Sequence, residues 1–125
     1  EKIAHLYQPA HPAVLRMIHT AASAAQNAGI ECSICGEMAG DPLYTELLLG
    51  LGITSLSMAP VAIPPIRAEI AHISLNDARK LAEEVLQMRT SSEIKELITY
   101  RHKQRVDSFE DVFSVDYNGL TGKSN

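Results

Sequence analysis

Apolar residues recur every three or four positions over Val14, Leu15, Ile18, Ala21, Ala22 and Ala25. That spacing lines one face of a helix. Pro12 suits the first helical turn and Gly29 the position just past the last, so the pattern predicts a helix over about 12–28. The period then changes to two. Ile30-Glu31-Cys32-Ser33-Ile34-Cys35 reads as a strand that stops at Gly36, and Gly36 to Gly40 reads as a loop. Asp41-Pro42 opens a second helix, with Asp41 as N-cap, through Leu47-Leu48-Leu49 to Gly50 or Gly52. A second strand follows over Ile53 to Met58, and Pro64-Pro65 starts a helix to about Ala71. Two capping boxes come next. Ser74 to Asp77 opens a helix over Leu75 to Met88, with Ala78, Leu81, Ala82, Val85 and Leu86 on one face. Thr90 to Glu93 opens another through Ile94, Leu97 and Ile98, which is expected to end near Arg105. Residues 1–105 then form one domain portion. Residues 106–125, with Phe109, Val112 and Phe113 among acids, read as a weakly ordered or added tail.

Helices that link strands favour parallel pairing and right-handed crossovers. Two parallel strands among five helices close poorly, because parallel sheets are normally larger and covered on both faces. The expectation is an α/β fold in which this chain is one side of a larger structure.

Composition narrows the classes. With 125 residues, 46% hydrophobic and 21% charged, the chain suits one soluble domain with a core of its own. Eleven Lys and Arg stand against 15 Asp and Glu, and this acidic balance argues against a nucleic-acid partner. The longest apolar stretch, Leu47 to Met58, is broken by Gly50, Gly52, Thr54, Ser55 and Ser57, so no membrane helix is expected. The N-terminus lacks the basic and apolar regions of a signal peptide. Two cysteines make no disulfide framework, so the expected location is cytoplasmic, with reduced thiols. A first residue that is not Met suggests a processed chain or a piece of a longer one.

Cys32-Ser33-Ile34-Cys35 has the C-x-x-C spacing. An odd separation along a strand sends the two thiols to opposite faces, which disfavours a redox pair. No second Cys/His pair is nearby for zinc. Cys32 reads as a small buried apolar residue. Cys35 stands at the C-terminal end of a strand, before a glycine-containing loop, where α/β folds place ligands. It reads as a nucleophile or general acid, or else as an inert core thiol. Gly36 to Gly40 lacks the Lys and Ser/Thr of a phosphate loop. The five histidines show no metal-ligand spacing and read as surface residues. Ser55 and Ser57 have no evident partner base. Arg101 to Arg105 reads as a solvated helix end that suits the helix dipole.

Several strings carry more. His5-Leu6-Tyr7-Gln8-Pro9, Cys35-Gly36-Glu37-Met38-Ala39-Gly40-Asp41, Leu48-Leu49-Gly50-Leu51-Gly52, Leu56-Ser57-Met58 and Ile63-Pro64 resemble the end of Enzyme I, the phosphoenolpyruvate–protein phosphotransferase of the bacterial sugar phosphotransferase system. The resemblance runs from about residue 3 to residue 99. Leu51 to Met58 also resembles the nitrogen-related paralogue. Pyruvate phosphate dikinases and phosphoenolpyruvate synthases share the Cys-Gly and a nearby Asp.

The resemblance implies a partial (β/α)8 TIM barrel, with about 30–35 and 53–58 as its last two strands and additional C-terminal helices. It implies Cys35 as proton donor to enolpyruvate and Gly36 as the residue that lets the loop turn close to substrate. Mg²⁺ is implied as the parent enzyme's cofactor, with its ligands, the phosphate-binding arginines and the phosphorylated histidine all upstream. Partners implied are phosphoenolpyruvate and pyruvate, a small histidine-containing carrier protein, and a second copy in a homodimer. The isolated chain is expected to be inactive. The rival readings are a non-catalytic dimerisation or interaction module derived from the same domain, or a fragment of a pyruvate phosphate dikinase or phosphoenolpyruvate synthase.

Overall fold

The computed structural model describes the backbone of residues 9–120 and the side chains of residues 9–109. Residues 5–8 of the first string quoted above, the side chains of Val112 and Phe113, and residues 121–125 lie outside the described residues. The elements follow in the order α1 (Pro12–Ala28), β1 (Ser33–Ile34), α2 (Pro42–Gly50), β2 (Ser55–Leu56), a 3₁₀ turn (Pro60–Ala62), α3 (Ile63–Ala71), α4 (Leu75–Gln87) and α5 (Ser91–Leu120).

The predicted helix starts hold because their caps form. Asp41 Oδ1 accepts from the Leu43 amide at 3.0 Å, with Pro42 at the first position of α2. Ser74 Oγ accepts from Asp77 N at 3.4 Å, and Thr90 Oγ1 accepts from Glu93 N at 3.2 Å. These bonds satisfy amides that have no partner inside the helix.

Both strands are parallel, as expected, with Ser33 opposite Ser55 and Ile34 opposite Leu56. They are shorter than the expected 30–35 and 53–58. The preceding helices claim the first residue of each expected stretch. Gly29, at φ 68°, ends α1, and the Gly29 and Ile30 amides bond back to Gln26 O and Ala25 O. Gly52, at φ 100°, does the same after α2, and the Gly52 and Ile53 amides bond to Leu49 O and Leu48 O. Each pair forms the six-to-one closure of a helix C-terminus, in which a glycine takes the left-handed conformation. Ile30 is accordingly 66% exposed instead of lying in a sheet.

The helix expected to end near Arg105 continues to Leu120. No Gly or Pro interrupts the chain between Val106 and Asn118, so nothing local stops it. The ring of Phe109 stands 3.9 Å, centroid to centroid, from that of His72.

The core centres on α2. Tyr44, Thr45, Glu46, Leu47 and Leu48 are buried in succession, so this helix is enclosed on every side. It packs against α3, α4 and α5, and α1 packs against α4. Ala10, Leu15, Ala22, Met38, Leu51, Ile53, Leu81, Ala82, Val85, Ile94 and Ile98 join the buried apolar residues of α2 in one cluster. No helix among the described residues is long and apolar enough to cross a membrane.

Candidate functional site

The chain leaves β1 at Cys35, whose side chain is exposed. Gly36 follows at φ 92°, a conformation that side chains rarely adopt, and turns the backbone away from the sheet. The loop is then tied down. Met38 and Ala39 are buried, Gly40 N donates to Glu37 O at 3.2 Å, and Asp41 N donates to Met38 O at 3.4 Å. The Asp41 cap joins this turn to the first turn of α2 without slack.

Cys35 and Gly36 line an open cleft with Glu37, Gly40, Ser57, Met58, Ala59 and Ala62. The cleft lies where both parallel strands end, the place at which α/β folds present functional groups. The Ser57 amide donates to Ile34 O at 2.9 Å and carries the sheet's hydrogen bonding one residue past β2. A thiol placed here is open to a small ligand, and its neighbours Met58, Ala59 and Ala62 supply an apolar wall.

Cys32 sits elsewhere. It packs partly buried against the core and lines a second cleft, between α1 and α4, with His19, Gln26, Arg79 and Glu83. Both thiols are free, and they face different clefts from the two ends of one short strand. That separation fits the argument from odd spacing against a redox pair.

Among the described residues no group of three or more His, Cys, Asp or Glu stands together to hold a metal ion. Asp41 is committed to its cap and Glu37 is exposed. These residues by themselves do not fit an Mg²⁺ site, and no step is routed through one below.

Each described histidine has a contact within the fold. His11 Nδ1 accepts from Ala13 N at 3.1 Å, and His72 Nδ1 lies 2.8 Å from Ala68 O. His19 Nδ1 is 3.4 Å from Leu51 O. His102 departs from the surface reading. Its Nδ1 is 3.0 Å from Oε1 of Glu69, a carboxylate whose side chain is 4% exposed.

The run Arg101 to Arg105 is likewise not a solvated helix end. Arg101 and Arg105 both pair with Glu46, whose side chain is 5% exposed, and Arg105 Nε donates to Glu69 Oε1 at 2.8 Å. Burial pushes the Glu46 carboxyl up. The hydrogen bond from Arg101, the charges of Arg105 and Arg101 and the hydrogen bond from Arg105 outweigh it, and the net direction is down. The hydrogen bond to Glu46 holds the Arg101 guanidinium above its ordinary value, against the opposing effect of burial. Two signals in the sequence could have revealed this cluster. Glu46 is an acid inside the apolar run Leu43 to Leu49, and Arg101 and Arg105 are four residues apart on one helix face.

The family described as PEP-utilising enzyme, PEP-binding domain, matches residues 1–75. A phosphoenolpyruvate-protein phosphotransferase of Haloferax volcanii is 46% identical over 99 residues, which cover 79% of this chain and 18% of that protein. Its counterpart in Haemophilus influenzae is 42% identical over 98 residues, covering 78% and 17%. That of Bacillus subtilis is 40% identical over 94 residues, covering 75% and 16%. The chain therefore spans less than a fifth of the length of these curated relatives.

Proposed function

Because this chain belongs to the family of PEP-utilising enzymes, through their PEP-binding domain, we propose that it is the C-terminal portion of a phosphoenolpyruvate–protein phosphotransferase. The observation that carries the reading is the exposed Cys35 thiol at the C-terminal end of β1, beside a glycine turn and inside an open cleft. In this reading the phosphoryl group of phosphoenolpyruvate passes to a protein histidine, which leaves the enolate of pyruvate. The Cys35 S–H bond breaks, and the electron pair of the enolate double bond takes the proton at the methylene carbon. The enolate oxygen becomes the ketone of pyruvate, and the thiolate regains a proton from solvent. Carbon is protonated slowly without a positioned donor, which gives the fixed strand-end thiol its value. Gly36 lets the backbone turn away so that substrate approaches the sulfur.

The same reading makes β1 and β2 the last two strands of a (β/α)8 barrel. Their parallel pairing supports it, as does the outer edge that each leaves unpaired among the described residues. So does a cleft at the C-terminal strand ends. The phosphate-binding arginines, the Mg²⁺ ligands and the phosphorylated histidine then belong to parts of the protein outside this chain. The described histidines, each engaged within the fold, are not assigned that role. A small histidine-containing carrier protein as acceptor, a homodimeric assembly and a cytoplasmic location, in sugar uptake or its nitrogen-related counterpart, complete the proposal.

The test uses the longer protein that contains this chain. Cys35→Ala is expected to accept the phosphoryl group from phosphoenolpyruvate while it releases pyruvate on the order of a hundredfold more slowly. Equal pyruvate release by the variant and the parent protein overturns the assignment.

A further inference from the structure

Among the described residues, Ser57 is the one polar side chain of the cleft that the reaction above leaves without a role and whose chemistry suits an anionic ligand. The register places it. Ile34 stands opposite Leu56, so the next positions, Cys35 and Ser57, are neighbours across the two strands. The Ser57 amide bonds to Ile34 O at 2.9 Å, so the pairing holds at this position. Side chains alternate between the two faces of a sheet. Ile34 and Leu56 pack against the core, which sends Cys35 and Ser57 together to the opposite, open face. Both are exposed and both line the cleft. Adjacent strands lie ~4.8 Å apart, so a three-carbon acid can reach from one side chain to the other.

Chemistry then distinguishes Ser57 from its neighbours. Met58, Ala59 and Ala62 offer the ligand only apolar surface, and Glu37 repels a carboxylate. Among the described residues no side chain bonds the Ser57 hydroxyl, so it is available as a donor. Ser55 and Ser33 share the same face, yet neither lines the cleft.

We infer that Ser57 is a second ligand-binding residue of this cleft, whose hydroxyl donates a hydrogen bond to the carboxylate of the enol acid that Cys35 protonates. The inference rests on the reaction proposed above. The hydroxyl keeps its proton throughout. It holds the ligand's acid end on β2, so that the methylene carbon faces the sulfur on β1.

The experiment compares the longer protein with its Ser57→Ala, Ser57→Thr and Cys35→Ala variants in pyruvate formation from phosphoenolpyruvate, with thermal unfolding measured in parallel. Ser57→Ala is expected to lose roughly tenfold in kcat/KM, mainly through KM, as for one hydrogen bond to a charged group. Ser57→Thr, which keeps the hydroxyl, is expected to recover most of the loss, and the unfolding midpoint stays at the parent value. A Ser57→Ala rate within twofold of the parent overturns the inference. So does a loss that tracks a lower midpoint and is not recovered by Ser57→Thr. If Cys35→Ala matches the parent while Ser57→Ala is impaired, the role of Cys35 fails and the Ser57 contact stands. If the parent protein forms no pyruvate, both fail.

Discussion

Gly50 lies so close to Ala78 that a methyl group built on its α-carbon meets the Ala78 carbonyl oxygen at 1.9 Å. The last turn of α2 and the first turn of α4 are in backbone contact there, and Ala82 Cβ stands 3.0 Å from the same position. A side chain at residue 50 forces the two helices apart. Gly50→Ala thus sets two effects against each other. Helix propensity favours Ala by about 1 kcal/mol, whereas overpacking costs about 1–3 kcal/mol, or more against rigid backbone. The expected outcome is net destabilisation, read as a lower midpoint in urea unfolding. A variant as stable as the parent refutes the close approach.

The ion cluster around Glu46 predicts an order of costs. Arg105 touches both buried carboxylates, and its side chain is 13% exposed, against 33% for Arg101. Arg105→Met strands Glu46 and Glu69 with fewer cations, and breaking a buried pair costs about 3 kcal/mol. Arg101→Met leaves Glu46 still paired with Arg105 and gives up a partly solvated contact, so its cost is expected to be about 1 kcal/mol. Chemical denaturation of both variants checks the ranking, and a larger loss for Arg101→Met contradicts this geometry.

The same cluster sets a direction with pH. The Glu46 carboxyl is held below its ordinary value of 4.5, so the unfolded chain takes up a proton there at a higher pH than the folded one does. The contribution of Glu46 to stability is therefore complete above that ordinary value and is lost as pH falls through the lower folded value. Unfolding free energy measured from pH 6 down to pH 3 is expected to drop more steeply in the parent than in Glu46→Gln. Equal slopes contradict the assignment.

Thr45 offers a substitution expected to help. Its side chain is fully buried in α2, and Oγ1 has no hydrogen-bond partner among the described residues. Valine has nearly the same shape and carries no group that loses water without replacement. Thr45→Val is expected to be neutral or to stabilise by about 1 kcal/mol. A loss of 1 kcal/mol or more, measured by thermal unfolding, reveals a bond to that hydroxyl.

The two thiols should differ in reactivity. Cys35 is exposed, whereas Cys32 packs partly against the core. Brief treatment with iodoacetamide followed by peptide mass spectrometry is expected to label Cys35 first. Labelling of Cys32 first contradicts the placement of the two clefts.

Local signals made much of this molecule legible. Pro12, Asp41, Ser74 and Thr90 announced helix starts, because a cap is a bond between residues two or three apart in the chain. The odd spacing of Cys32 and Cys35 was enough to part the thiols, because alternation is a local rule. Cys35 and Gly36 were legible as site candidates through their position at a strand end and through the Cys35 to Asp41 string. Gly29 and Gly52 misled the reading of strand length. Period-two alternation does not reveal that the first residues of each stretch have their amides committed to the preceding helix.

What the sequence determined by itself was whatever depends on neighbours within a few residues: helix starts, strand positions, the glycine turn after Cys35 and the acidic balance of the whole. The tertiary structure decided which distant residues meet. It set Ser57 beside Cys35 through strand register, pressed Gly50 onto Ala78, and turned Arg101, His102 and Arg105 from an apparent solvated run into the partners of two buried acids. Such pairings depend on how helices and strands pack. A buried charge states only that it needs a partner, and packing chooses which residue supplies it.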